Sequence, residues 1–444
     1  MVDKGLVEKI RSEIDEIQIV NTHEHVPPQQ ISMMADDSYC FNSFRENAFN
    51  YNLEAAGMPA EAWVIGDFDL KKAWKRIKPY IKYSKSSPYY RMFMTACRDL
   101  LNIDYDHIDS EEKWIDFSKR ISEANRRKDW YEIVLKKKAK VDVSIVVQRG
   151  LRGIKNIERE FFKAAINLDD FARSYDGGIL TKLENLFGVD VKTFEDYLSL
   201  LDKAFQVAVD LGVVTVKSCQ AYERALDYEV VTEEEAKRAF PPARDLLLEV
   251  QDTYPLPVPQ PELIYPGTIN AEYIKYLQDF TMHMILENAS RHNIPVQIHT
   301  GLAPTYENIS NASPTHLTKL IRNHKKTKIL LLHGGYPYSD EIGQIARFWP
   351  NVYLDLAWMP VGHVGYTATK RILSEWIEYV PWFKIMWGGD TGRVEELYGA
   401  VLVIRQLISE VLAEKVEDGW NMNDALEIGK RILRENALEF YRLS

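Results

Sequence analysis

The feature that most constrains this chain is an alternation of short β-rich runs with amphipathic helical stretches. Strands that alternate with helices form parallel sheets joined by right-handed crossovers. Eight such units close into a (β/α)8 barrel. The sequence therefore predicts an α/β fold of the TIM-barrel type. The eight runs cover residues 17–25, 141–150, 161–170, 212–220, 294–301, 327–335, 351–358 and 383–390.

Signals at helix ends agree with this alternation. Gly212 follows the amphipathic stretch 193–211, at the position where a glycine ends a helix in a left-handed conformation. Ser313 precedes Pro314, and this pair is typical of a helix start, with the serine as cap and the proline in the first turn. Gly212 begins one β-rich run, and Ser313 begins the helical stretch that precedes another, as a β/α repeat requires.

Two gaps between the runs are too long for simple loops. Residues 27–135 are rich in Trp, Tyr and Phe and have helical patterns, so we expect a helical insertion after the first strand. The barrel would then consist of residues 1–26 and 136–444. A second insertion, 221–270, contains the proline-rich segment YPLPVPQPELIYP. Both insertions leave the barrel at the carboxyl ends of strands, where barrel enzymes carry their chemistry, so both are candidates for lids.

The composition narrows the classes of partner. Asp and Glu total 65 against 55 Lys and Arg, and this net charge of −10 argues against nucleic acid or an anionic membrane as partner. Three dispersed cysteines give no disulfide framework and no CxxC zinc motif. No apolar run approaches the ~18–20 residues of a membrane span, and the amino terminus has a helical pattern rather than that of a signal peptide. We expect a cytoplasmic protein with a small-molecule substrate; a homo-oligomer is compatible with the sequence, which does not reveal it.

Two histidines lie at the end of the first β-rich run. His23 and His25 are two positions apart, so on a regular strand they would point to the same side, into the barrel mouth. Two imidazoles in this arrangement can bind one metal ion. By itself the motif is weak, because two partly exposed loop histidines would give the same spacing.

Further polar side chains end other runs. His299 ends the fifth run, His333 the sixth and Asp390 the eighth. Imidazole and carboxylate ligands together suit Zn²⁺, Mn²⁺ or Fe²⁺ rather than Ca²⁺, which prefers oxygen ligands. Three histidines and an aspartate would also leave room for a water molecule that the metal could activate near neutral pH.

This set of strand-end residues resembles the amidohydrolase superfamily. The stretches TVKSCQAY, IHTG, LLLHGGYPY, VYLDLAW and WGGDT are more particularly similar to the amidohydrolase-2 group, which includes FluG-type proteins, lyases and decarboxylases. The tail NALEFYRL fits the closing helix of that group. Over residues 27–135, the length and aromatic character resemble the uronate isomerases instead.

The resemblance implies a role for each strand-end residue. The metal ligands would be His23, His25, His299 and Asp390. His333 would polarise the substrate or hold an anionic intermediate. Asp390 would also accept the proton of the attacking water. This double role is chemically reasonable because a carboxylate beside a cation starts ionised.

Lys217, at the end of the fourth run, leaves the number of metal ions open. In superfamily members with two metals, a lysine on this strand is carboxylated and bridges them. A single metal fits the resemblance to the amidohydrolase-2 group better, and we expect Zn²⁺, with Mn²⁺ or Fe²⁺ as alternatives. Lys217 would then bind a substrate carboxylate, act as a neutral base, or form a salt bridge at the barrel mouth.

Five more residues follow strand ends and are candidates for binding substrate. Arg224 and Arg149 could hold a carboxylate through two hydrogen bonds, although surface arginines in loops would have the same positions. Tyr222, Tyr336 and Trp358 could line the pocket.

The sequence thus predicts a metal-dependent hydrolase that acts on an amide, ester or lactone of a small, carboxylate-bearing substrate. One alternative is a non-hydrolytic member of the superfamily, either a decarboxylase or a uronate-type isomerase. A second alternative is a non-catalytic binding barrel that retains the strand-end residues.

Overall fold

The computed structural model describes residues 3–46, 49–149, 151–173, 177–249, 269–302, 309–362 and 364–443. Its centre is one sheet of eight parallel strands that follow one another in chain order. All eight predicted runs contain a strand, and the predicted (β/α)8 fold is confirmed. The strands are β1 (Ile19–Glu24), β2 (Val141–Arg149), β3 (Phe162–Asn167), β4 (Val213–Ser218), β5 (Val296–Ile298), β6 (Ile329–Leu331), β7 (Val352–Asp355) and β8 (Ile385–Met386).

Backbone hydrogen bonds between β1 and the segment after β8 bring the two edges of the sheet together. Thr22 N donates to Trp387 O at 3.3 Å, and Asp390 N donates to His23 O at 2.8 Å. His25 N donates to Thr391 O at 3.0 Å. These bonds lie at the carboxyl ends of both strands, so they also bring the first and last strand-end motifs into contact.

Helices surround the barrel, and the capping signals read from the sequence are present. Gly212 comes after the helix Phe194–Asp210 and has a left-handed conformation, with φ +77°. The Ser313 side chain accepts a hydrogen bond from Thr315 N. Within the described ranges, no helix combines the length and the apolar character needed to cross a membrane. The α-helices outside the first insertion are Lys4–Ile14, Leu151–Lys155, Asp169–Arg173, Gly177–Phe187, Phe194–Asp210, Glu233–Glu249, Ile269–His292, Thr318–Asn323, Ser339–Phe348, Tyr366–Tyr379, Val394–Glu417, Met422–Lys430 and Asn436–Tyr441.

The stretch between β1 and β2 is helical, as the sequence predicts. Its helices are Gln29–Ser32, Tyr39–Glu46, Phe49–Ala55, Leu70–Ser84, Pro88–Leu101, Glu111–Asn125 and the π-helix Glu132–Lys138. Buried aromatic residues of this insertion belong to the same hydrophobic core as the outer faces of the barrel strands. Its role as a lid stays a prediction. The proline-rich segment of the second predicted insertion, 254–266, lies outside the described residues.

The carboxyl-terminal helix Asn436–Tyr441 contributes to a second buried cluster. Ala437, Phe440 and Tyr441 pack there against residues from several barrel strands. The strand residues of this cluster are Val20, Ile145, Ala165, Leu330 and Met386, and Leu332 directly follows β6. The end of the chain is therefore built into the barrel rather than lying on its surface.

Candidate metal centre

Three predicted ligands converge at the carboxyl ends of β1 and β8. Asp390 Oδ1 lies 3.3 Å from His23 Nε2 and 3.2 Å from His25 Nε2. One potential ligand atom from each residue lies within 4.8 Å of the other two. The two imidazole rings are perpendicular, with their centroids 5.1 Å apart. This is the compact arrangement that one cation would require.

The backbone at the end of β8 allows this close approach. A Cβ atom on Gly388 would come within 2.9 Å of His23 Cβ, and one on Gly389 within 2.0 Å of Glu24 Oε1. Asp390 itself has a left-handed conformation, with φ +54°. On β1, the register shifts between Asn21 and Glu24, so simple alternation does not describe the end of this strand. The two histidines nevertheless meet the same carboxylate.

The tautomer of His23 follows from its partner on β5. Gln297 Nε2 lies 2.8 Å from the Thr22 carbonyl oxygen, which only accepts hydrogen bonds, so this atom must be the amide nitrogen. Gln297 Oε1 therefore faces His23 Nδ1, at 2.9 Å, and Nδ1 must donate. Burial lowers the pKa of His23 to about 4, which keeps the ring neutral near pH 7. His23 Nε2 then presents a lone pair toward Asp390.

The charge state of Asp390 completes the test of whether a metal fits. Burial opposes its ionisation, and the pKa of this carboxyl lies well below its usual range only where His23, His25 and His333 supply positive charge or a proton. Because the Gln297 contact leaves His23 Nε2 without a proton, this nitrogen and Asp390 Oδ1 face each other as two acceptors at 3.3 Å. Two acceptors at this distance need a cation or a proton between them. The donor set of two imidazoles and one carboxylate suits a divalent transition metal.

His299 and His333 form a neighbouring pair. His333 Nε2 lies 2.8 Å from His299 Nδ1, and His299 Nε2 lies 3.1 Å from Gly301 O. His333 Nδ1 lies 3.5 Å from Asp390 Oδ2, so His333 is next to the candidate metal centre. Burial lowers the pKa of His333 to about 3 and that of His299 well below its ordinary value. The structure thus brings His333 to the centre and directs both nitrogens of His299 to other partners, and the predicted role of His299 as a ligand stays a prediction.

Lys217 is buried in the same part of the barrel. It lies in β4, in register with Gln297 of β5, and is 1% exposed. Its positive charge contributes to lowering the pKa of His23, His299 and His333. Within the described ranges, its ammonium group has no hydrogen-bond or ion-pair partner. A buried cation without a partner is costly, so this position favours a ligand that brings negative charge.

The predicted pocket residues differ in where the structure places them. The Tyr222 ring lies 4.3 Å from the His299 ring, measured between centroids. Trp358 is half-buried, and its backbone nitrogen donates to Gly388 O at 3.4 Å, so it lies beside the end of β8. Tyr336 is also half-buried, and its carbonyl oxygen accepts from Leu302 N. The structure therefore brings Tyr222 and Trp358 close to the centre.

Of the two predicted arginines, the structure describes only the side chain of Arg224. Arg224 is buried and ion-paired with Asp279 at 2.6 Å, and it also donates to Gln278 Oε1 at 3.0 Å. Its guanidinium group is thus engaged with the helix Ile269–His292, and a role in substrate binding stays a prediction. Arg149 ends β2, but its side chain lies outside the described residues.

The structure adds two residues that the sequence patterns did not single out. Gln297 orients His23, as described above. Tyr51 belongs to the insertion helix Phe49–Ala55, and its phenol is near enough to contribute to the raised pKa of Tyr222, after burial, Cys219 and Asp390. The insertion therefore reaches the barrel mouth near Tyr222. For Gln297 the sequence offered one signal, because it lies two positions before His299 in the same β-rich run and so shares its side of the strand. For Tyr51 the sequence patterns offered none.

The fold and the site together define a (β/α)8 barrel with a candidate metal centre at the carboxyl ends of its strands. Comparison with known proteins agrees with this class. A model of the amidohydrolase family matches residues 270–443. Protein fluG of Emericella nidulans is 26% identical over 264 residues, which are 57% of this chain and 29% of that protein. The chain thus spans less than a third of the length of this relative.

Solved structures extend the comparison to the whole chain. The uronate isomerase of Thermotoga maritima has a TM-score of 0.75 and 15% identity, covering 99% of this chain and 98% of that one. The glucuronate isomerase of Caulobacter crescentus has a TM-score of 0.76 and 14% identity, covering 99% and 94%. At this identity the likeness shows the fold. The match to the family model over residues 270–443 supports an amidohydrolase-superfamily assignment, and enzymes of that superfamily generally use a divalent metal. The predicted resemblance is confirmed.

Proposed function

We propose that this chain is a metal-dependent hydrolase acting on an amide, ester or lactone of a small substrate that carries a carboxylate. The observation that carries the proposal is the convergence of His23, His25 and Asp390 at the barrel mouth, beside the buried Lys217, which has no partner among the described residues. The expected cofactor is one divalent metal ion, with Zn²⁺ the best match to the donor set and Mn²⁺ or Fe²⁺ also suitable. A second metal would require carboxylation of Lys217.

The residues of the centre have complementary roles in this proposal. A divalent metal held by His23, His25 and Asp390 would supply the charge that activates water and polarises a carbonyl group. Beside a bound metal ion Asp390 would be ionised, so its carboxylate could accept the proton of the attacking water and return it to the leaving group. His333, 3.5 Å from Asp390 Oδ2, is close enough to contact the substrate oxygen on which negative charge develops.

Lys217 would select the substrate. A carboxylate bound to its ammonium group would satisfy the buried charge and hold the substrate beside the histidines. Tyr222 and Trp358 would line the pocket around it, with Tyr336, Arg149 and Arg224 as further predicted contacts. The insertion 27–135, through Tyr51, would cover the pocket and exclude water.

Isotope labelling tests the reaction class. The Zn²⁺-loaded protein should convert monoamides or lactones of dicarboxylic acids in H₂¹⁸O to products that contain one ¹⁸O atom in the new carboxylate. Asp390→Asn should lose this activity. Lys217→Met should lose the preference for substrates with a free carboxylate over their methyl esters. Turnover without ¹⁸O in the product would rule out hydrolysis.

An isomerase is the second candidate. The observation that favours it is the full-length similarity to two uronate isomerases, which includes a large part of the chain outside the family match. Such an enzyme would convert a uronate into a product of the same mass, and NMR spectroscopy would detect the change from aldose to ketose. Lys217 would again bind the substrate carboxylate, so the two candidates differ in chemistry rather than in the site they use.

A further inference from the structure

We infer that Gln297 and Tyr441 are positioning residues for the metal ligand His23, so that the carboxyl-terminal helix is part of the metal centre. The inference rests on the proposed metal site. It concerns a chain of three hydrogen-bonded side chains that runs from the barrel mouth to the helix Asn436–Tyr441.

The first step of the chain is the orientation of the Gln297 amide. Its nitrogen has two protons, and each has one acceptor: Thr22 O at 2.8 Å and Tyr441 Oη at 2.7 Å. With both protons held, the amide oxygen can point only toward His23 Nδ1. A flipped amide would place N–H groups against His23 and leave an oxygen facing the Thr22 carbonyl. The two acceptors therefore determine which face of the amide His23 meets.

The second step is the effect on His23. The amide oxygen accepts the Nδ1 proton, which fixes the tautomer and the rotation of the ring. Nε2 is then left with a lone pair directed at Asp390 Oδ1. A hydrogen bond of this kind also makes the imidazole a better electron donor to a metal.

The third step is the anchoring of Tyr441. Its side chain is 4% exposed and packs in the barrel cluster together with Phe440, with ring centroids 4.8 Å apart. Tyr441 lies 144 positions from Gln297 in the sequence. The hydroxyl group is therefore held by core packing, and this packing carries rigidity to the amide and from there to His23.

Variants of the two residues test the inference through metal affinity rather than activity. The dissociation constant for Co²⁺ is measured by competition with a chromophoric chelator, and the ligand geometry by the visible absorption of bound Co²⁺. Gln297→Leu should weaken binding about 10- to 100-fold and alter the absorption bands. Tyr441→Phe should weaken it about 3- to 10-fold, because the Thr22 carbonyl still holds one amide proton.

Tyr353→Phe is the matched control. Tyr353 packs against the same Phe440 ring, at 4.6 Å between centroids, and among the described contacts its hydroxyl does not touch Gln297. Its removal should leave Co²⁺ affinity unchanged. Equal affinity in native protein and Tyr441→Phe and Gln297→Leu variants, with Asp390→Asn still losing the metal, would overturn the positioning role alone. Absence of Co²⁺ binding in the native protein, or its persistence in Asp390→Asn, would overturn the metal site as well.

Discussion

His25 and His299 show how differently two predicted ligands are placed. The His25 side chain is 47% exposed and directs Nε2 at Asp390. His299 is 3% exposed, and its nitrogens face His333 and Gly301. A metal bound between His23, His25 and Asp390 would thus use His25 directly, whereas His299 would have to give up at least one existing partner to join the ligand set.

The residue-scale prediction compares these two histidines. His25→Ala should raise the dissociation constant for Zn²⁺ at least about 100-fold, because a ligand is removed without disturbing the core. His299→Ala should raise this constant clearly less. Zn²⁺ content after dialysis against a chelator, with circular dichroism to verify folding, measures both. Equal loss in the two variants would return His299 to the ligand set.

At the scale of elements, a pair of buried glutamates joins the insertion to the barrel. Glu395 and Glu396 lie in the first turn of the helix Val394–Glu417 that follows β8. Glu395 Oε1 accepts hydrogen bonds from Asn125 Nδ2 at 2.6 Å and Trp130 Nε1 at 2.7 Å. Glu396 Oε1 accepts from Tyr89 Oη at 2.6 Å. All three donors belong to the insertion, so these bonds determine how it sits on the barrel.

The protonation of Glu396 makes this attachment pH-dependent. Burial, opposed by Arg393, raises the pKa of Glu396 to about 7. Between about pH 4.5 and 7, the folded protein holds a proton that the unfolded chain has released, so the free energy of unfolding falls as pH rises through this window. Glu396→Gln cannot release a proton. Its free energy of unfolding relative to that of the native protein should therefore rise by up to about 2.5 kcal/mol between pH 5 and pH 8.

Urea unfolding at several pH values measures this difference. The native protein serves as the reference at each pH, so that titration of other groups cancels. Parallel curves of stability against pH for the native protein and Glu396→Gln would contradict the proposed proton uptake.

At the scale of the whole molecule, the insertion and the barrel share one hydrophobic core. Trp114 belongs to the part of this core that the insertion contributes, and it is fully buried. Its ring centroid lies 5.9 Å from that of Phe44 and 6.4 Å from that of Trp74. Its Nε1 donates to Leu70 O at 2.9 Å. Because these residues belong to the same hydrophobic cluster as the barrel strands, we expect the two parts to unfold together.

Trp114→Ala tests this coupling. The variant should lose about 3–5 kcal/mol of unfolding free energy, and the far-UV circular dichroism and tryptophan fluorescence transitions should move together. Tyr83→Ala is the control, since Tyr83 is exposed on the same insertion and its loss should change stability by less than about 0.5 kcal/mol. Two separated transitions would show that the insertion is an independent unit.

Much of this architecture can be read from local patterns. The eight strands and the helical insertion follow from periodicity and helix-end signals, each of which spans only a few residues. The grouping of His23, His25, His333 and Asp390 also follows, because the carboxyl ends of parallel strands meet at one end of a barrel. Once the strand order is known, the sequence therefore predicts which residues lie together at the barrel mouth.

Other features depend on side-chain orientation and on partners from distant parts of the chain. Arg224 binds Asp279, His299 faces His333, and Gln297 connects His23 to Tyr441. Spacing along the chain contains no information on which rotamer or tautomer a buried polar group adopts. That choice is made by the donors and acceptors that the folded core supplies. The sequence thus determined the barrel and the residues at its mouth, and the tertiary structure alone decided which of them face one another.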